Sequence, residues 1–86
     1  MKLTWSKTAW EDYLYWQKSD KKTVKRVNDL IKNTMRKPFE GIGKPEALKG
    51  DLQRYWSRRI THEHRLVYKF EKNTLMIAAC RYHYGK

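Results

Sequence analysis

An α+β fold follows from the order in which two hydrophobic periodicities occur along the 86 residues. Apolar side chains recur at helical spacing through residues 7–36, while residues 55–82 hold short stretches rich in aromatic and β-branched residues. Between them, residues 37–50 contain both prolines of the chain and three of its four glycines. Helices and strands are therefore separated by a break rather than interleaved, the arrangement that lays a helical pair onto an antiparallel sheet.

Taken in order, residues 2–6 read as a short strand. Ser6 is the expected N-cap of a helix over residues 7–18, with Trp10, Tyr13, Leu14 and Gln17 at helical spacing and Ala9 and Trp16 beside them. Ser19 or Asp20 caps a second helix running to about Arg36. Val24, Val27, Leu30 and Ile31 form its apolar stripe, and Lys21, Lys22, Lys25, Arg26 and Lys32 occupy the rest. The short join makes the pair an antiparallel hairpin. Segment 37–50 reads as an irregular loop with one helical turn at 45–49, where Pro45 suits a first turn. A loop of that length in a small domain points to function. Strands over 55–61, 65–70 and 75–82, joined by turns at His62-Glu63 and at 71–73, complete a three-stranded antiparallel meander. The expectation is a single domain, 1–86, with one sheet carrying the helices on one face.

Composition bounds the function. Twenty Lys plus Arg against nine Asp plus Glu give a formal net charge of +11. Such an excess creates a field that attracts polyanions: nucleic acid, an acidic protein or an anionic membrane. No apolar run reaches the ~18–20 residues of a spanning helix, and the first residues lack the apolar stretch of a signal peptide. A membrane role is not expected, and the single cysteine, Cys80, suits a reducing cytoplasm. Its neighbours, Ile77, Ala78 and Ala79, mark it as a buried, inert thiol.

Several motifs fail. Gly41-Ile-Gly43-Lys44 lacks the spacing and the Ser/Thr of a phosphate-binding loop. His62 and His64 have no third ligand at metal-binding spacing, so neither a metal nor a cofactor is expected. The hairpin's polar face is lysine-rich rather than rich in base-reading side chains, which weakens a DNA-binding reading. What remains is a polar set on the strands and the loop: Arg58 and Arg59 in the first strand of the meander, Arg65 opening the second, and Arg81 with His83 closing the third. Strand alternation puts Arg65, Val67 and Lys69 on one face and Leu66, Tyr68 and Phe70 on the other. Cutting RNA with side chains alone requires a base for the 2′-OH, donors for the phosphate and an acid for the departing 5′-oxygen. By residue type Glu46, Arg65 and His83 suit those roles; spacing does not show that they meet. A non-catalytic binder that sequesters RNA through its basic faces and stacking aromatics is the rival from another class.

Four blocks carry a more specific signal: Trp10-Glu-Asp-Tyr-Leu-Tyr-Trp16, Pro38-Phe-Glu-Gly-Ile-Gly-Lys-Pro-Glu46, Trp56-Ser-Arg-Arg-Ile-Thr-His-Glu-His-Arg-Leu-Val-Tyr68 and Ile77-Ala-Ala-Cys-Arg-Tyr-His-Tyr84. In that order they closely resemble the YoeB branch of the RelE-like toxin family, the ribosome-dependent mRNA interferases of bacterial toxin–antitoxin pairs. The resemblance spans nearly the whole chain. It implies a RelE-like fold and cleavage of mRNA in the A site of the 70S ribosome, leaving a 2′,3′-cyclic phosphate and a 5′-OH without metal. It assigns Glu46 as general base, His83 as general acid and Arg65 as the arginine that steadies the scissile phosphate. Lys49 and Arg59 become further phosphate-binding positions, and Tyr84 the aromatic beside the acid. It also implies an acidic antitoxin of the YefM/Axe type, and pairing as a homodimer. Two features depart from the family pattern: Arg54 stands where close relatives often have glycine, and Gly85-Lys86 extends the chain past the His-Tyr pair.

Overall fold

The computed structural model of the chain describes residues 1–82. Strand β1 (Lys2–Trp5) leads into helices α1 (Lys7–Ser19) and α2 (Lys21–Arg36). Strands β2 (Glu46–Ala47), β3 (Trp56–Arg59), β4 (Arg65–Glu71) and β5 (Thr74–Ala79) follow, with a 3-10 turn at Gly50–Leu52 after β2. The strands form one sheet in the order β1-β5-β4-β3-β2. All neighbours are antiparallel except β1, which runs parallel to β5 at one edge. The expected α+β class, helical hairpin and meander are all present.

Side chains fix the helix ends. Ser6 Oγ accepts the Ala9 N–H at 3.0 Å and donates to the Ala78 carbonyl at 2.8 Å, so one hydroxyl caps α1 and ties it to the end of β5. Asp20 takes the second cap, accepting from Lys22 N, Thr23 N and Thr23 Oγ1. In α2 the stripe is as the periodicity predicts: Val27, Leu30 and Ile31 are buried, with Thr23 and Thr34 flanking them. Helix α1 differs. Its buried face is Ala9, Asp12 and Trp16, whereas Trp10 and Leu14 are exposed. The reason is a polar contact that hydropathy does not register: Asp12 turns inward to accept the Cys80 N–H at 3.0 Å.

The sheet face beneath the helices carries Ile60, Leu66, Tyr68, Leu75 and Ile77 into the core. Arg58 lies on the same side and is fully buried. Its guanidinium donates from Nη1 to Asn33 Oδ1 (2.6 Å) and the Ile42 carbonyl, and from Nη2 to the carbonyls of Lys37 (2.6 Å) and Glu40. Nε donates to the Tyr68 hydroxyl, which in turn donates to the Pro38 carbonyl at 2.7 Å. Loop 37–45 is thus wound around one cation. Gly41 (φ +120°) and Gly43 (φ +82°) permit the winding, because a Cβ on Gly41 would lie 2.1 Å from Asn33 Oδ1.

Two expectations are corrected. Residues 45–49 form no helical turn: Glu46 and Ala47 pair with Ser57 and Trp56 as β2. Arg59 N donates to the Gly43 carbonyl at 2.7 Å, so the loop is already committed to the sheet edge before Pro45. The last strand ends at Ala79 rather than Tyr82. A register irregularity in the β4–β5 ladder, where Val67 pairs with Ala79 but Tyr68 with Ile77, leaves Ala78 as an extra residue and turns the chain out of the sheet.

Candidate active site

On β3 and β4, alternation that sends Arg58, Ile60, Leu66 and Tyr68 to the core sends Ser57, Arg59, Arg65 and Val67 to the opposite face. The register then assembles a site. Arg59 is directly opposite Arg65, Ser57 opposite Val67, and Glu46 opposite Ser57. Glu46, Arg59 and Arg65 therefore share the helix-free face, within two residues of one another along the strands. The short β2 is what brings Glu46 there.

The electrostatics carry the same information. Burial lowers the Arg65 pKa, the neighbouring Arg59 cation lowers it further, and Glu46 acts in the opposite direction. Like charges directly opposite in a ladder destabilise a sheet, so the arginine pair is an arrangement that a phosphate or carboxylate would relieve. Arg65 is pre-oriented: Nη1 donates to the carbonyls of Thr61 (2.8 Å), His62 (3.1 Å) and His64 (3.1 Å), bracing the β3–β4 turn. Glu46 is exposed.

Lys49 is exposed just beyond β2, at the start of the 3-10 turn. His83 and Tyr84 lie outside the described residues. The chain that leads to them is anchored beside Arg65, whose backbone N–H donates to the Tyr82 carbonyl at 3.0 Å. Arg81 lies beyond the end of β5, and its guanidinium stacks 3.5 Å from the ring centroid of Tyr15 on α1.

Sequence reasoning missed three supporting residues. Arg58 reads as one more surface cation until its loop closes over it. Asp12 reads as the polar side of α1. His64 reads as a solvated turn residue, yet its Nδ1 accepts the Tyr82 N–H at 2.8 Å and its ring meets Trp16 edge-on. No local signal marks His64, since its partner is a backbone group 18 residues away. Among the described residues no group of three His, Cys, Asp or Glu could hold a metal ion, and no helix is long and apolar enough to cross a membrane.

Comparison with known proteins places this arrangement in a family context. The model of the YoeB-like toxin of bacterial type II toxin-antitoxin systems matches residues 5–84. Toxin YoeB of Escherichia coli K12 is 64% identical over 84 residues, spanning 98% of this chain and 100% of the relative. A YoeB/ParE toxin from Agrobacterium tumefaciens superposes with a TM-score of 0.93 at 52% identity, covering 98% of this chain and 100% of that one. The YoeB of Staphylococcus aureus, solved as a dimer, superposes with a TM-score of 0.91 at 54% identity over 98% of each chain. In its heterotetrameric YoeB-YefM complex the TM-score is 0.89, again at 54% identity over 98% of each chain.

Proposed function

Because the chain belongs to the YoeB-like toxin family of bacterial type II toxin–antitoxin systems, we propose that it arrests translation by cutting mRNA in the A site of the 70S ribosome. The observation that carries the reading is the placement of Glu46 and the Arg59–Arg65 pair on one face of the sheet. A carboxylate on that face is a group able to take the 2′-OH proton, and two guanidiniums supply donors where charge grows on a phosphate.

In this mechanism Glu46 removes the 2′-OH proton and the 2′-oxygen attacks the adjacent phosphorus. Arg65 holds the non-bridging oxygens, helped by Arg59 and Lys49. His83 gives its proton to the departing 5′-oxygen, with Tyr84 beside it, leaving a 2′,3′-cyclic phosphate and a 5′-OH. Protons move between side chains and substrate, and no step calls for a cofactor. The reading of His83 gains support from chain connectivity, since its covalent neighbour Tyr82 is bonded to Arg65. The +11 charge and the S. aureus complex support an acidic, YefM-like antitoxin as the inhibitor, and the S. aureus dimer supports a homodimer. The toxin acts as a single domain in the cytoplasm, where its ribosomes are.

Primer extension on mRNA from a translating extract tests the proposal. New 5′ ends within the A-site codon are expected with the wild-type chain and are lost with Glu46→Ala or His83→Gln. Arrested translation with intact mRNA, undiminished in both variants, would establish a non-catalytic ribosome binder instead.

A further inference from the structure

Beyond β5 the chain is held at successive residues by groups from other elements. The Cys80 N–H donates to Asp12 Oδ2 at 3.0 Å and its carbonyl accepts from Trp16 Nε1 at 2.7 Å. Both anchors stop at Cys80. Tyr82 is held differently: the residue is 59% exposed, so burial does not fix it, and its φ of +68° is one that non-glycine residues seldom adopt. A conformation of that kind persists only where the surroundings over-determine it. Here the surroundings are two hydrogen bonds, the Tyr82 N–H to His64 Nδ1 at 2.8 Å and the Arg65 N–H to the Tyr82 carbonyl at 3.0 Å. His64, just before β4, and Arg65, its first residue, thus bracket Tyr82, one through its side chain and one through its backbone.

The His64 contact has a definite chemical form. A backbone N–H can only donate, so Nδ1 must be the unprotonated nitrogen and a neutral ring carries its proton on Nε2. The ring plane is set by Trp16, whose indole meets it at 79° with centroids 4.8 Å apart. We infer that His64 is a positioning residue: its Nδ1 fixes Tyr82, the residue that covalently precedes His83, against Arg65 of the proposed site. The inference rests on the nuclease reading given above. His64 itself moves no proton; it acts through Tyr82. A misplacement of about 1 Å in such a site costs on the order of 10²-fold in rate.

Two variants and two readouts test it. His64→Leu removes the acceptor while keeping apolar bulk against Trp16, and His64→Asn offers Oδ1 where Nδ1 stood. With programmed ribosomes, His64→Leu is expected to lower kcat on the order of 10²-fold with KM little changed, and His64→Asn to recover most of the loss. In the free toxin, the Tyr82 amide should exchange faster in His64→Leu and be protected again in His64→Asn. Wild-type kcat in His64→Leu, or equal impairment in both variants, overturns the inference. Should His64→Leu fail to fold, nitrogen NMR of the wild type decides: a proton on Nδ1 of the neutral ring overturns it, and one on Nε2 supports it. If the wild type cuts no mRNA, the nuclease reading falls, and an unchanged Tyr82 exchange rate in His64→Leu would independently remove His64 from any positioning role.

Discussion

Asn33 Oδ1 lies 2.6 Å from Arg58 Nη1 and also accepts the Ile42 N–H at 3.1 Å, joining helix α2, strand β3 and the glycine loop at one oxygen. The buried guanidinium has no carboxylate within ion-pair distance among the described residues. Its charge is met by one side-chain amide, three loop carbonyls and a phenol, and the loop is shaped to supply them.

Removing either partner should therefore be costly for different reasons. Asn33→Ala leaves a buried donor without its acceptor and should lower stability by about 1–3 kcal/mol. Arg58→Met orphans several acceptors together and releases the loop that leads to Glu46, so it should cost more, on the order of 3–5 kcal/mol. Urea unfolding followed by tryptophan fluorescence measures both; equal, small shifts in midpoint would contradict this account of the loop.

Arg65→Lys should behave as a severe change. Lysine can neither brace the three carbonyls of Thr61, His62 and His64 nor present a planar fork to phosphate. A fall in kcat on the order of 10²–10³-fold is expected in ribosome-programmed cleavage. Near-wild-type turnover would show that Arg65 serves only the turn.

Lys49 and Arg59 should contribute to RNA affinity through salt-dependent contacts. In a Glu46→Ala background, each alanine variant should flatten the plot of log Kd against log salt by about 0.7 for single-stranded RNA. Fluorescence anisotropy over a salt series reads the slope. An unchanged slope for Arg59→Ala would take it off the phosphate path.

Asp12 predicts an unusual pH dependence. Burial raises its pKa above the ordinary 3.8, outweighing the Cys80 N–H and the Arg81 charge that lower it. Because the folded chain holds this proton more tightly than the unfolded one, the ionised form opposes folding. That penalty is absent below 3.8, grows as pH rises through the folded pKa, and is constant above it. Asp12→Asn keeps an oxygen for the Cys80 N–H and sheds the charge. It should match or exceed wild-type stability at neutral pH, with the difference closing toward pH 3.8. Denaturation midpoints across that range check it; a gap that widens in acid would reverse the assignment.

Cys80 should be silent toward thiol reagents while the protein is folded. Burial, and then the Asp12 charge, push its pKa up to about 12, so the thiolate fraction at pH 8 is on the order of 10⁻⁴. Labelling by a chromogenic disulfide should be fast in denaturant and very slow without it. Rapid labelling of the native chain would mean that the end of β5 opens readily.

Much of this protein was legible in the sequence, because the signals are local. The caps Ser6 and Asp20, the Val27–Leu30–Ile31 stripe and the three long strands need only neighbours a few residues away, and periodicity records them directly. The residue types Glu46, Arg59 and Arg65 could likewise be named, and their motifs identified the family. Tertiary structure alone decided that these side chains share one face. Glu46 shares a face with the arginines because two residues beyond a glycine loop pair with β3, and that loop is held by Arg58, a cation that composition would assign to the surface. Asp12, Arg58 and His64 all find partners 18 to 68 residues away. Most of those partners are backbone groups, which every residue carries and no sequence pattern distinguishes. A hydrophobic periodicity reports which face of an element avoids water; it does not report which polar group is satisfied by a distant carbonyl or amide, and in this chain those bonds set the geometry of the site.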